Sequence, residues 1–274
     1  MACTPFTRAD HDRRGLRYTS DMTDAEFALI APLLPDQPRR GRKRRTDLRA
    51  VVNAIFYALQ NGCAWANLPK DFPPPSTVYG YFRRFDEDGI WVKVQDALYV
   101  ASRELECREP QPSAAIIDSQ SVKTGPNAMG DVGFDEGKKV KGRKRHILVD
   151  TLALLLRCDV HGADLQDRDG SVRLFNRLTV RFPFLEVFFA DAAYAGETVA
   201  QAAPRPVEIV RRRNTDNGFK VLPKRWIVER TLAWITANRH MARDFERYAQ
   251  TANLFIKIAM IKLMTRRIAR NVNS

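Results

Sequence analysis

Two aspartates close short apolar runs in this chain, and a glutamate stands near the start of a later amphipathic segment. Ala114-Ala115-Ile116-Ile117 leads into Asp118, Glu186-Val187-Phe188-Phe189-Ala190 leads into Asp191, and Glu229 follows Trp226-Ile227-Val228. Short apolar runs of this kind read as buried strands. Carboxylates at the ends of neighbouring strands can converge on one point, and Glu229 would bring a third oxygen ligand from a helix. Such hard ligands suit Mg2+ or Mn2+ rather than zinc. Two ions roughly 3.5–4 Å apart can activate an attacking oxygen and stabilise the leaving oxygen of a phosphodiester. Without cations, three carboxylates held together repel. Taken singly, each acid has a plainer role, bonding turn amides or favouring a helix dipole. Asp150, Asp159, Asp164, Asp167 and Asp169 are read in that plainer way. The combination, in this order, carries the prediction.

A sheet is needed to position these acids. Strands are expected at 114–118, 145–150, 152–160, 186–191 and 206–210, with helices over 169–181 and from Trp226 to about His240. The order β-β-β-α-β-α-β-α predicts a mixed α/β sheet of the RNase H-like kind, without internal repeats. Pro110-Gln111-Pro112 reads as a linker, dividing a domain of residues 113–274 from an N-terminal all-helical domain of residues 1–110.

In that first domain, residues 1–17 read as a mobile tail. Thr23-Asp24-Ala25-Glu26 has capping-box spacing. Asp47 precedes apolar residues recurring at three and four, and Asn61-Gly62 closes that helix. A third helix, capped by Ser76, carries Val78, Tyr79, Phe82, Arg83, Arg84 and Phe85. A fourth runs from Ile90 to Leu105. The outline resembles a helix-turn-helix, with Tyr79, Arg83 and Arg84 on the DNA-reading helix. A plain helical bundle fits the same pattern equally well.

Charge narrows the partners. Among 274 residues, 45 Lys and Arg face 32 Asp and Glu, giving +13 and a sequence pI near 9.9. Excess positive charge points to a polyanion. The basic residues cluster: Arg39, Arg40, Arg42, Lys43, Arg44 and Arg45 form one run, and Lys138, Lys139, Lys141, Arg143, Lys144 and Arg145, with His146, form another. Lys224 and Arg225 make a smaller pair. Phosphates are the natural counter-ions of such runs. Cys3, Cys63, Cys107 and Cys158 include no C-x-x-C pair, which argues against a disulfide scaffold or cysteine zinc module. No apolar run is long enough for a membrane span and the start has no apolar leader, so a cytoplasmic home is expected. The histidines lack metal spacing, and the Gly-Lys steps lack the phosphate-loop pattern. Trp226 and Trp234 are expected in the core.

At these residues the chain resembles the DDE (Asp-Asp-Glu) transposases of bacterial insertion sequences, in the IS-five-like group. The likeness is carried by RYTSDMTDAEFALIAPLLP (17–35), IDSQSVKT (117–124), GKKVKGRKRHILVDT (137–151), ADAAYAG (190–196) and FKVLPKRWIVERTLAW (219–234). The resemblance implies that Asp118, Asp191 and Glu229 form the catalytic, metal-holding triad. Asp191 follows Asp118 by 73 residues, and Glu229 follows Asp191 by 38. The second interval is too short for the large β-rich insertion of some relatives. The wider superfamily has a Tyr…Arg…Glu…Lys signature. Arg225 and Glu229 fit it, whereas Leu222 and Thr236 stand in place of its Tyr and Lys.

Further expectations follow from the resemblance. They are two Mg2+ ions per site with Mn2+ able to substitute, binding to terminal inverted repeats, and strand cleavage followed by strand transfer. Double-stranded DNA, as element ends and as target, would be the partner of a homodimer in the bacterial nucleoid. No membrane or small-molecule cofactor is expected. A non-catalytic DNA-binding regulator derived from a transposase, and an RNase H-fold nuclease without strand transfer, are the alternative readings.

Overall fold

The computed structural model describes residues 12–37, 40–41, 43–210 and 224–272. It divides into two compact units, residues 1–106 with 261–274 and residues 107–260. The division near residue 106 lies close to the Pro-Gln-Pro linker, but residues 261–274 group with the helical unit.

The helical unit holds α1 (Asp24–Ile30), α2 (Leu48–Asn61), α3 (Pro75–Glu87) and α4 (Ile90–Leu105). Thr23 and Glu26 form the expected capping box, and Gly62 ends α2 at φ +69°, a conformation that glycine adopts freely. Ser76 does not cap α3. Pro74 occupies the cap position and Pro75 the first turn, where a missing N–H costs nothing. Val78, Phe82 and Phe85 are buried, and the Trp91 indole N–H donates to the Phe82 carbonyl at 3.1 Å. Residues 12–17, expected to be mobile, are instead tied down. Arg13 makes two hydrogen bonds to Glu26, at 2.7 and 2.8 Å, while Arg17 bridges Asp21 and Asp71 and lies over the Phe72 ring.

The C-terminal residues of this unit carry a buried lysine. Lys262 donates to Gln60 Oε1 at 2.7 Å, and burial pushes its ammonium down to about 6, with the charges of Arg266 and Arg13 adding to that and Glu26 opposing. The folded chain therefore binds fewer protons than the unfolded chain between about pH 6 and 10.5, and stability rises with pH across that window. Lys262→Met removes this penalty. It is expected to stabilise the chain by about 1–4 kcal/mol near pH 6, with the gain shrinking as pH approaches 10. Urea unfolding at both pH values checks this, and a less stable variant at pH 6 would contradict it.

The second unit is built on one six-stranded sheet. In chain order it holds β1 (Ala114–Lys123), β2 (Gly133–Asp135), β3 (Val140–Asp150), β4 (Leu155–Gly162), α5 (Asp167–Phe175), α6 (Leu178–Arg181), β5 (Val187–Ala190), α7 (Glu197–Ala202), β6 (Val207–Ile209), α8 (Arg225–Thr236) and the start of α9 (Ala249–Val272). β3 runs antiparallel to β1, from Ala115 opposite Asp150 to Lys123 opposite Gly142. The other edge of β3 is shared end to end, β2 pairing with 140–142 and β4 with 143–149. β5 lies parallel to β1, and β6 parallel to β5. Leaving out the short β2, the sheet order is third, second, first, fourth, fifth, and the fold is RNase H-like.

Several boundaries differ from the sequence expectation, each for a local reason. β3 begins at Val140, five residues before the expected start. β4 begins only at Leu155, because Asp150 Oδ1 accepts from the amides of Leu152 and Leu154 and holds a tight loop with Ala153 at φ +66°. The helix expected over 169–181 is two helices, broken where Arg177 turns to φ +53°. α8 ends at Thr236, short of His240.

Candidate active site

Parallel pairing of β1 with β5 places Ile116 beside Phe189. Asp118 and Asp191 each lie two residues beyond that pair, so the two carboxylates leave adjacent strands at one level. Both line a small pocket with Ile116, Ile117, Phe189 and Arg225. Asp118 Oδ1 accepts from the Ser119 amide at 2.7 Å. Asp191 caps the short helical turn Ala192–Tyr194, its Oδ1 accepting from the Ala193 amide at 2.9 Å. Each aspartate thus has one oxygen held by backbone. Burial pushes the Asp118 carboxyl up to about 6; the Ser119 amide opposes this, the Asp191 charge adds to it, and Arg225 and Lys138 oppose it.

Glu229 comes from α8, whose first residues are anchored on the sheet by Lys224, 3.3 Å from the centre of the Phe189 ring. One turn into the helix, Glu229 Oε1 meets Arg225 Nε at 3.1 Å, while Arg225 Nη2 lies 3.6 Å from Asp191 Oδ2. The guanidinium therefore stands between two members of the expected triad. Among the described residues, no three His, Cys, Asp or Glu side chains converge closely enough to hold a metal ion. The donors themselves are hard oxygens of the right kind for a divalent cation. Asp118 and Asp191 line one pocket, and Glu229 lies outside it with Oε1 on Arg225.

The opposite face of β1 is braced by a buried polar network. Ser119 Oγ donates to Asp167 at 2.8 Å, and Lys144 Nζ meets Asp167 at 2.9 Å and the Leu165 carbonyl at 2.8 Å. Burial works against the charge on Asp167, but the hydrogen bonds from Lys144 and Ser119 prevail and hold its carboxyl below the usual range. Beside them, His146 and His161 stack at 4.9 Å, and Tyr194 reaches His146 Nδ1 at 3.4 Å. Burial, reinforced by His161, pushes the His146 imidazole down to about 3. Both imidazole Nε2 atoms lie against Gly170, which has no side chain to displace them. This network fixes β1 and the turn after Asp191. Sequence reasoning assigned Asp167 to a turn and gave Ser119 and Tyr194 no role.

The second basic run divides in two. Lys138, Lys139 and Lys141 are exposed around the β2–β3 hairpin. Arg143, Lys144, Arg145 and His146, expected to contact DNA, are buried inside β3, where phosphate cannot reach them. Arg143 pairs with Asp244 at 3.3 Å and donates to the carbonyls of Glu246 and Arg247, both at 2.8 Å. Arg145 donates to the Met241 carbonyl at 2.7 Å, and burial pushes its guanidinium down to about 10. These cations serve the interior. Trp226 is also corrected: it is 44% exposed, and Arg230 lies between it and Trp234, 4.7 and 4.8 Å from the two rings.

In the helical unit, Tyr79, Arg83 and Arg84 are exposed on α3, with Arg83 paired to Glu87 at 3.2 Å. Arg40, Lys43 and Arg45 are exposed, whereas Arg44 donates to the Pro35 carbonyl at 2.9 Å. Arg39 and Arg42 lie outside the described residues, as does Leu222.

A third-second-first-fourth-fifth sheet with acids leaving its two adjacent parallel strands defines the chain as an RNase H-like α/β protein, and the comparisons give its family. A family model described as "Transposase DDE domain" matches residues 109–264, and one described as "Putative transposase of IS4/5 family" matches residues 22–95. The chain belongs to the DDE transposase family, whose domains generally use divalent metal ions. It is similar to a protein of Burkholderia cepacia described as "Putative transposase for insertion sequence element IS402", with 31% identity over 155 residues, 52% of this chain and 70% of the relative. A second protein of that organism, "Insertion element IS402 uncharacterized 16.2 kDa protein", is 28% identical over 106 residues, 36% of this chain and 71% of the relative. No solved structure matches the chain.

Proposed function

We propose that this transposase acts on the ends of its own insertion sequence, binding the terminal inverted repeats, cleaving a strand in Mg2+ and joining the freed 3′-OH to target DNA. The observation that carries this reading is the entry of Asp118 and Asp191 into one pocket from adjacent parallel strands. Asp118 and Asp191 would hold Mg2+, or Mn2+ in its place, and Glu229 would complete a two-ion site. Divalent ions there would activate the attacking oxygen and offset charge on the leaving oxygen. Arg225, released from Glu229, would take a DNA phosphate, and Lys224 would do so by leaving the Phe189 ring. The buried polar network behind Ser119 would hold Asp118 on the pocket side of β1.

Division of labour follows from the two units. Tyr79, Arg83 and Arg84 would read base edges, while Arg40, Lys43, Arg45 and the 138–141 lysines would hold phosphates. Pairing two element ends calls for a homodimer. Among the described residues no helix is long and apolar enough to cross a membrane, which is compatible with action on DNA in the cytoplasm.

The test uses the full chain, a labelled duplex of the element end, a scrambled duplex and a supercoiled target. Preferred binding to the end, with nicking and joined product only when divalent metal is present, is the expected result. Equal binding to both duplexes, or metal-dependent nicking without joined product, would contradict the end-recognition or strand-transfer part respectively.

A further inference from the structure

A groove beside the β2–β3 hairpin gathers Lys139 and Lys141, proposed above as phosphate ligands, with two further cations and an aromatic ring. Its volume is about 610 Å3, the size of a small-ligand site and far too small for a duplex. Lys123 from the end of β1, Lys139 and Lys141 from the hairpin, and Arg243 supply four cations, and no carboxylate lines it. Phe134 lines it too and is 47% exposed.

The local structure keeps this surface presented. Phe134 and Lys141 are paired across antiparallel strands, so their side chains leave the same face of the sheet. Gly142 lies opposite Lys123, where an added Cβ would collide with the Val122 carbonyl oxygen. β1 and β3 pack closely there. Lys139 sits in the left-handed region at φ +55°, a conformation that favours glycine, yet the position carries a cation. Arg243 is pinned by two hydrogen bonds, at 3.2 and 2.7 Å, to the Thr124 carbonyl.

One exposed phenylalanine alone means little. Set among four cations in a groove of nucleotide size, it offers a stacking surface with phosphate ligands at its rim, the combination that holds single strands without reading sequence. Lys141 leaves the same face of the sheet as Asp118, six residues along β3 from Ile147, the partner of Asp118, roughly 20 Å at the usual strand rise. A strand in the groove would thus lie within a few nucleotides of the pocket.

We propose that this groove binds a short stretch of single-stranded DNA, with phosphates on Lys123, Lys139, Lys141 and Arg243 and a base stacked on Phe134. The proposal rests on the reading of the chain as an enzyme that opens DNA at its cleavage point. It is tested on the full chain by fluorescence anisotropy with a labelled twelve-residue oligothymidylate in EDTA, where no cleavage occurs. Phe134→Ala is expected to weaken oligothymidylate binding about tenfold, the effect of losing one stacked base, and Phe134→Trp to preserve it. Neither should change competition by inorganic polyphosphate, which has no base to stack. Lys141→Gln with Arg243→Gln should flatten the log K against log[salt] slope by about 0.7 per lost phosphate contact.

Wild-type oligothymidylate binding by Phe134→Ala, or an equal loss for polyphosphate, would overturn the proposal. Because binding is read in EDTA, a chain that fails to nick DNA but shows the Phe134 dependence would sink only the enzymatic reading. A chain that nicks normally without that dependence would sink only the groove.

Discussion

Asp118→Asn, Asp191→Asn and Glu229→Gln are each expected to lower Mg2+-dependent cleavage of an end duplex by about a thousandfold or more. Each substitution keeps side-chain volume and removes one anionic oxygen. Amides hold Mg2+ poorly, and losing several kcal/mol of transition-state charge stabilisation gives a rate loss of this size. Binding to the same duplex in Ca2+ should persist, because removing a negative charge beside phosphate lowers repulsion. Asp169→Asn is the control: it lies in the first turn of α5, outside the pocket, and is expected to cost at most about 1 kcal/mol of stability and little rate. Cleavage near wild-type in any one of the three would remove that residue from the proposed site. Glu229 is the most informative, because it does not line the pocket that Asp118 and Asp191 share.

The second large effect is on folding. Asp244→Ala leaves the wholly buried Arg143 guanidinium without its carboxylate. Stripping the partner from a buried charge is expected to destabilise the chain by about 3–5 kcal/mol. Arg143→Ala should cost a similar amount by orphaning the carbonyls of Glu246 and Arg247. Lys138→Gln, Lys139→Gln and Lys141→Gln should behave in the opposite way, with little change in stability but a flatter salt dependence of duplex binding, by about 0.9 per phosphate contact. Thermal unfolding and gel-shift titration across salt separate the two groups. A stable Arg143→Ala with a flattened salt slope would contradict the division of the run.

That division shows where the sequence was legible and where it was not. Asp118 and Asp191 could be found because each ends an apolar run, and the order of those runs identified the sheet. The RYTSDMTDAEFALIAPLLP and GKKVKGRKRHILVDT strings, together with the acids, pointed to the family that the comparisons bear out. The capping box at Thr23 and the glycine stop at Gly62 were readable because both are local. The burial of Arg143 to His146 was hidden because charge counts do not report faces. β3 is covered on both faces, Arg143 and Arg145 by residues 241–247 and Lys144 and His146 by α5, so both alternating sets of its side chains are enclosed. One signal was present: the basic residues run without a turn residue after Gly142 into Ile147-Leu148-Val149, so they belong to the strand itself. β2 escaped notice because three residues are too few for a period, and Trp226 because helical spacing alone does not say which stripe is covered.

The claim that Asp118, within β1, and Asp191, just after β5, hold the metal is tested most directly by changing the ligand's softness. Asp118→Cys and Asp191→Cys replace a hard carboxylate with a thiolate, which Mg2+ disfavours and Mn2+ accepts more readily. Cleavage of a labelled end duplex by each variant is measured in Mg2+ and in Mn2+, with the wild-type chain alongside. The account predicts loss of cleavage in Mg2+ and partial recovery in Mn2+ for both variants, with the wild-type chain active in each metal. Full activity in Mg2+ for either cysteine variant, or failure in both metals by variants that still bind the duplex, would contradict it.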